Sequence, residues 1–229
     1  MWTISEVKEA GKRAFKCNYW YCVLAALLMG LFAGSRAASS GSKVQNVDLE
    51  GQLSSMDPKE QLTVLMIALG AISVALIIGI LIKIFLANPI KVGGCAFFTS
   101  NIEAAPAPFG LIKTGFQHYG HTFVTLLLRD IYLTLWSLLF IIPGIIKGYS
   151  YRMVPYILAD NPDMSANEII TCSREMMDGN KWQAFLLDLS FIGWILVGLV
   201  TLGLGFIFWT APYMQSTYAA LYVKLRDEA

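Results

Sequence analysis

The sequence predicts an all-α membrane protein with six transmembrane helices, arranged as three tandem units of a cytoplasmic amphipathic helix plus a transmembrane hairpin. Three observations carry this reading. The 229 residues are 56% hydrophobic and 14% charged, with mean hydropathy +0.57, whereas soluble domains are about 45–50% apolar and about 25% charged. The excess stands in long runs, the signature of spans. A motif recurs, and the basic residues fall unevenly between the two sides of the spans.

The recurring motif runs from Gly120 and again from Gly179. The first copy reads Gly120–His121–Thr122–Phe123, then an apolar run with Asp130 and Trp136, a Pro143–Gly144 break, and Pro155–Tyr156. The second reads Gly179–Asn180–Lys181–Trp182, then Asp188 and Trp194, a Gly203–Gly205 break, and Pro212–Tyr213. From the opening glycine the acid falls at +10 and +9, the Trp at +16 and +15, and the Pro–Tyr pair at +35 and +33. A more divergent first unit shares Asn18–Tyr19–Trp20 and Asn88–Pro89 but lacks the buried acid. Parallel repeats of this kind build membrane proteins around a central axis. The units are assigned to residues 1–101, 109–160 and 165–226, within a single membrane domain covering 1–229.

Taken in order, Thr3–Lys16 predicts an amphipathic helix. Thr3 and Glu6 form a capping box, each side chain satisfying an orphan backbone donor, with Ile4, Val7, Gly11, Ala14 and Phe15 on one face and Lys8, Lys12, Arg13 and Lys16 around the rest. Such a helix either lies in the headgroup region or extends the span that follows. Tyr19–Phe32 is the first span; its flanks exclude an ordinary signal peptide, since the leading segment is long and carries Glu6 and Glu9. Residues 33–60 form a polar extracellular loop. Leu62–Leu86 is the second span, ending near Pro89, and Asn101–Pro108 is a linker.

Phe109–Tyr119 predicts a second amphipathic helix. Thr122–Ile142 is the third span, Pro143–Gly144 a turn, and Ile145–Ala159 a short fourth span. Ser165 opens a third amphipathic helix with a capping box to Glu168, a Met164–Ile169 staple and Gly179 at its end. Trp182–Leu202 and Phe206–Val223 are the fifth and sixth spans. Pro89, Pro155 and Pro212, with Tyr156 and Tyr213 beside the last two, are helix-kink positions, since proline removes a backbone donor.

Ten basic residues then fall on the side of the N-terminus (Lys8, Lys12, Arg13, Lys16, Lys91, Lys113, Arg174, Lys181, Lys224 and Arg226) and four on the other (Arg36, Lys43, Lys59 and Lys147). The positive-inside rule places both termini in the cytoplasm. The expected location is the bacterial cytoplasmic membrane, as a multi-pass protein.

Five ionisable residues fall inside spans: Lys83, Arg129, Asp130, Arg152 and Asp188. Charge in a bilayer is costly and normally pairs or lines a wet cavity. Counted along their helices at about 1.5 Å per residue, Lys83, Arg129, Arg152 and Asp188 lie roughly 9–11 Å below the cytoplasmic interface, with Asp130 next to Arg129. Asp130 and Asp188 are expected to pair with Arg152 and Arg129, and Lys83 to snorkel to the cytoplasmic interface instead. The layer is either a structural charge network or a polar site for a charged headgroup or small anion.

Other chemistry finds no support. Cys17, Cys22, Cys95 and Cys172 form no CxxC, and His118 with His121 cannot fill a zinc site of three or four ligands. No Ser–His–Asp order, HExxH or Walker motif is present, so no metal, cofactor or catalytic residue is assigned. Nucleic acid is excluded as a partner by the absence of a basic face. The expected partners are the lipid bilayer, with anionic lipid headgroups or another membrane protein.

The stretches Tyr151–Arg152–Met153–Val154–Pro155–Tyr156, Ser173–Arg174–Glu175–Met176–Met177–Asp178–Gly179–Asn180–Lys181, Phe185 to Trp194 and Ala211–Pro212–Tyr213 resemble a widespread bacterial family of integral membrane proteins of unknown function. The layout is similar in plan to the membrane domain attached to some glycerophosphodiester phosphodiesterases. That likeness implies lipid proximity and brings no activity. The functional expectation is a membrane interaction, assembly or lipid-associated protein; the alternative is a small transporter or lipid-handling protein using the polar layer.

Overall fold

The computed structural model describes residues 2–33 and 57–228. Every regular element among them is a helix: α1 (Ile4–Cys17), α2 (Tyr19–Ala33), α3 (Pro58–Ile82), α4 (Asn88–Glu103), α5 (Thr114–Gln117), α6 (Tyr119–Leu139), α7 (Ile141–Ser150), α8 (Val154–Asp160), α9 (Ala166–Met176), α10 (Lys181–Leu189), α11 (Ile192–Val200) and α12 (Ala211–Glu228). Most of the predicted outer loop lies outside the described residues; its last residues belong to α3, which Pro58 opens from an N-terminal position that needs no N–H donor.

Three helices are long and apolar enough to cross a membrane: Pro58–Glu103, Tyr119–Leu139 and Lys181–Val200, with α1 and α2, bent by 107°, as a fourth if they form one span. The elements expected as spans four and six are built differently. The fourth is divided into α7 and α8, and the sixth is a five-residue π turn, Phe206–Thr210, leading into the largely buried α12.

The core gathers at one end of the molecule. The face of α1 carrying Val7, Gly11, Ala14 and Phe15 is buried, and Gly11 makes this possible: a Cβ there would stand 2.7 Å from the Thr217 backbone on α12. Gly93 and Gly115 serve the same purpose between α4 and the segment after it, where a Cβ would overlap the carbonyl oxygens of Ile112 and Pro89. Small residues at such points let backbones approach closely. α8 contributes Val154, Pro155, Tyr156, Ile157 and Leu158, all buried.

A buried amide network ties the first unit together. Asn101 Oδ1 accepts from Asn18 Nδ2 at 3.0 Å and from the Ala107 amide at 3.1 Å, while its Nδ2 donates to the Ala14 carbonyl at 2.9 Å. Asn18 Nδ2 also reaches the Ala107 carbonyl at 2.9 Å. Asn18 sits at the bend between α1 and α2, so the network satisfies backbone groups that the bend frees.

The opposite end is bare. α3 has no buried residue, and Leu138, Leu139, Phe140, Leu199, Val200 and Leu202 at the hairpin tips are exposed. A helix apolar on every side belongs in a core or a membrane.

The prolines do not break the chain where expected. Pro89 is preceded by a π turn, Lys83–Ala87, and the helix runs on to Glu103. The wider turn absorbs the missing proline donor. Pro143–Gly144 lies within the first turn of α7; the break is at Phe140, whose backbone is extended. The second amphipathic helix is a 3₁₀ turn, Phe109–Lys113, followed by α5 and ended at His118.

The Ser165–Glu168 capping box is formed in both directions. Thr3 caps α1 through the Glu6 amide at 3.3 Å, and the Glu6 carboxylate reaches Lys224 at 3.0 Å. Gly179 takes a φ of +74° at the end of the third amphipathic helix, and Leu202 and Gly203 turn at +54° and +87°.

Candidate functional site: two charge clusters

The five charges named from the sequence divide into two clusters of unlike balance. In the first, Arg152 and Asp188 meet through two hydrogen bonds, Nη1 to Oδ2 at 3.0 Å and Nη2 to Oδ1 at 2.8 Å. Tyr149 donates its hydroxyl to Asp188 Oδ2 at 2.9 Å. The Arg152 guanidinium lies over the Tyr218 ring, 4.1 Å from its centroid. Its planar fork suits both the bidentate carboxylate and the aromatic face. One cation faces one anion.

The second cluster joins the π turn to α6. Arg129 donates to its neighbour Asp130, Nε to Oδ1 at 3.0 Å and Nη2 to Oδ1 at 2.6 Å. Lys83 donates to the other oxygen, Oδ2, at 2.9 Å. Beside them the Phe85 and Tyr119 rings stack, centroids 5.8 Å apart. Asp130 therefore meets Arg129 and Lys83, while Arg152 takes Asp188; no bond links Arg129 to Asp188 or Arg152 to Asp130 among the described residues.

Lys91 is the residue that the sequence reading passed over, because it was assigned to a cytoplasmic turn after Pro89. The helix continues instead, and the eight positions from Lys83 to Lys91 bring both lysines back to one side, within electrostatic reach of Arg129 and Asp130. The Lys91 side chain is half-buried. Among the described residues it makes no hydrogen bond or ion pair. The only available signal was its spacing from Lys83, which becomes meaningful once the helix is known to be continuous.

The two clusters are bridged by less polar groups. Lys91, Cys95, Tyr156 and Arg152 each lie within electrostatic reach of the next. Tyr156 is buried; the second predicted tyrosine, Tyr213, lies apart from the layer, with its hydroxyl toward the Lys8 carbonyl at 3.4 Å. Pro155 and Pro212 are buried near the starts of α8 and α12. They shape the core and do not contact the charges.

A further node was not foreseen. Arg226 meets Asp160 at 3.0 Å and also Glu103, and Tyr222 donates to Asp160 at 2.8 Å. It fastens α12 to the ends of α8 and α4. Between the tips of α6 and α7 an open cleft is lined by Leu138, Leu139, Phe140, Ile142 and Pro143, with Ser137 as its only polar side chain. That hydroxyl is spent on the Leu133 carbonyl at 2.8 Å. No group of three His, Cys, Asp or Glu side chains suited to a metal occurs among the described residues.

Among the described residues the fold is all-helical, with three to four helices long and apolar enough to span a membrane and two clusters of paired charges. Residues 13–229 match the family described as "Protein of unknown function (DUF975)". The chain belongs to that family. No curated protein and no solved structure matches it.

Proposed function

We propose that the chain is a multi-pass protein of the bacterial cytoplasmic membrane, with three helix-plus-hairpin units, six crossings and both termini inside. Its role is non-catalytic: it is a lipid-associated membrane protein whose compact helical end forms a platform at the cytoplasmic surface. The observation that carries this reading is the contrast between α3, without a buried residue, and the closed core formed by α1, α4, α8 and α12.

Length supports the placement. At about 1.5 Å per residue, α3 is about 38 Å long, enough alone for a hydrocarbon core of about 30 Å. The continuous helix to Glu103 is about 69 Å, so α4 extends beyond the core into the platform. Lys83, at the end of α3, then sits at the cytoplasmic boundary, shallower than residue counting from Pro89 gives. Trp20 and Trp182, which occupy matching positions in the first and third units, are 68% and 69% exposed. Exposed tryptophans at equivalent points suit an interfacial aromatic belt.

Membrane integration is tested by alkaline carbonate extraction of the full chain expressed in a bacterial host. The reading requires the protein to stay in the pellet; release into the supernatant rejects it. Copurified lipid, read by native mass spectrometry, tests the lipid association.

A further inference from the structure

We propose that Lys83, Lys91 and Arg129 form a binding site for a phosphate-class oxyanion, supplied by an anionic lipid headgroup or by free phosphate. The proposal rests on the membrane reading above only for the source of the anion.

Charge balance is the first argument. Lys83 and Arg129 both donate to one carboxylate, Asp130, and Lys91 is a third cation within electrostatic reach of it. The neighbouring Arg152–Asp188 pair balances itself and has no charge to lend. A half-buried cation without a partner among the described residues is costly, and a bound anion relieves that cost. Lys91 is that cation.

Donor capacity is the second. Lysine carries three N–H donors and arginine five. Asp130 takes one donor from Lys83 and two from Arg129, leaving Lys91 wholly free and donors remaining on the other two. Phosphate oxygens accept several such bonds at once, and charge-assisted bonds of this type are the strong ones. Asp130 acts as a positioning residue: it holds the Arg129 and Lys83 side chains close to Lys91.

A third observation lies on the same helix. Thr125, one helical turn before Arg129, has a fully buried hydroxyl without a hydrogen-bond partner. Buried polar groups are normally satisfied.

The test uses the purified full-length protein in a neutral detergent, with thermal unfolding read against three probes: phosphatidylglycerol in mixed micelles, phosphatidylcholine in mixed micelles, and inorganic phosphate. Phosphatidylglycerol is expected to raise the Tm of the wild type, with phosphatidylcholine giving little change. Lys91→Gln and Lys83→Gln should each weaken the apparent affinity about tenfold, the loss of one charge-assisted contact. Without ligand, Lys91→Gln should be at least as stable as wild type, since it removes an unpaired cation; a merely structural lysine predicts the reverse.

Stabilisation by phosphatidylglycerol alone identifies the lipid headgroup, and stabilisation by inorganic phosphate as well extends the site to the free ion. Stabilisation by neither, equal stabilisation by phosphatidylcholine, or unchanged affinity in both variants overturns the proposal. Release by carbonate with phosphate binding intact would reject the membrane reading and leave the site standing.

Discussion

Arg152 grips Asp188 in a parallel fork, at 3.0 and 2.8 Å, from a position 36 residues earlier in the chain. The pair fastens the turn before α8 to α10. Removing either partner leaves a charge without its counter-ion in a site that is only partly open to solvent.

Asp188→Ala should therefore destabilise the protein by about 3 kcal/mol, the lower end of the range for breaking a buried pair. Chemical denaturation in detergent measures it. Because replacing both members removes the unpaired charge, Arg152→Met combined with Asp188→Leu should recover most of the loss. A double variant no more stable than Asp188→Ala would show that the pair is not what the single change breaks.

The amide network at the first bend gives a second expectation. Asn101→Ala leaves the Ala107 amide without its acceptor and takes one of two donors from the Ala14 carbonyl, which keeps the Asn18 amide at 3.3 Å. A buried group left without a partner costs about 1–3 kcal/mol, so a loss of about 2 kcal/mol is expected in the same assay. Asn101→Asp should be costly too, because the Ala14 carbonyl would face a second acceptor.

Glycines separate into two groups by what surrounds them. Gly93→Ala forces a methyl onto the Ile112 carbonyl and Gly115→Ala one onto the Pro89 carbonyl. Overpacking of this kind costs about 1–3 kcal/mol, and here the obstacle is backbone. At Gly70 and Gly79 on α3 a methyl meets nothing within 4 Å. Alanine there should be tolerated or should stabilise by up to about 1 kcal/mol through helix propensity. Parallel melting curves of the four variants decide; equal effects at Gly93 and Gly79 would contradict the packing described.

How much of this could be read from the residues depends on whether the signal was local. α1 and α9 were legible because capping residues and a 3.6-residue apolar period coincide in Thr3–Phe15 and Ser165–Met176. The ionisable residues of the charge layer were legible because charge is conspicuous in apolar sequence. Its wiring was not: the Lys83–Asp130 bond joins residues 47 positions apart, and Lys91 returns to the side of Lys83 only through the uninterrupted helix, whose continuity Pro89 hid. The π turn that accommodates the proline leaves no mark in composition. Nor does the break at Phe140, where Pro143 fits an N-terminal position of α7, or the Asn18–Asn101 network, whose members are 83 residues apart.

Acid should loosen α9 first at its N-terminus. Hydrogen bonds from Ser165 hold the Glu168 carboxyl below its ordinary value of 4.5. A lowered folded value means that the stabilisation is complete above 4.5 and is lost as pH falls through the lower, folded value. Amide hydrogen exchange over residues 165–169 should accelerate below that pH. Ser165→Ala should remove the cap at neutral pH, costing about 1 kcal/mol. An exchange profile flat between neutral pH and acid would rule out the capping box as a contributor.

Topology offers the remaining test. Cys17 ends α1 and is exposed, whereas Cys22 and Cys95 are buried. Lys59 lies exposed in the first turn of α3, at the end far from the core. If both termini are cytoplasmic, Cys17 must be closed to an impermeant thiol reagent on intact cells and open to it in inverted vesicles. A cysteine introduced as Lys59→Cys in a Cys17→Ser background must behave in the opposite way. The asymmetry of basic residues favours this orientation through ten side chains against four, but the labelling pattern is independent of that count. Labelling of both positions from the same face would mean that α2, the segment between them, does not cross, and the six-crossing arrangement would then fall.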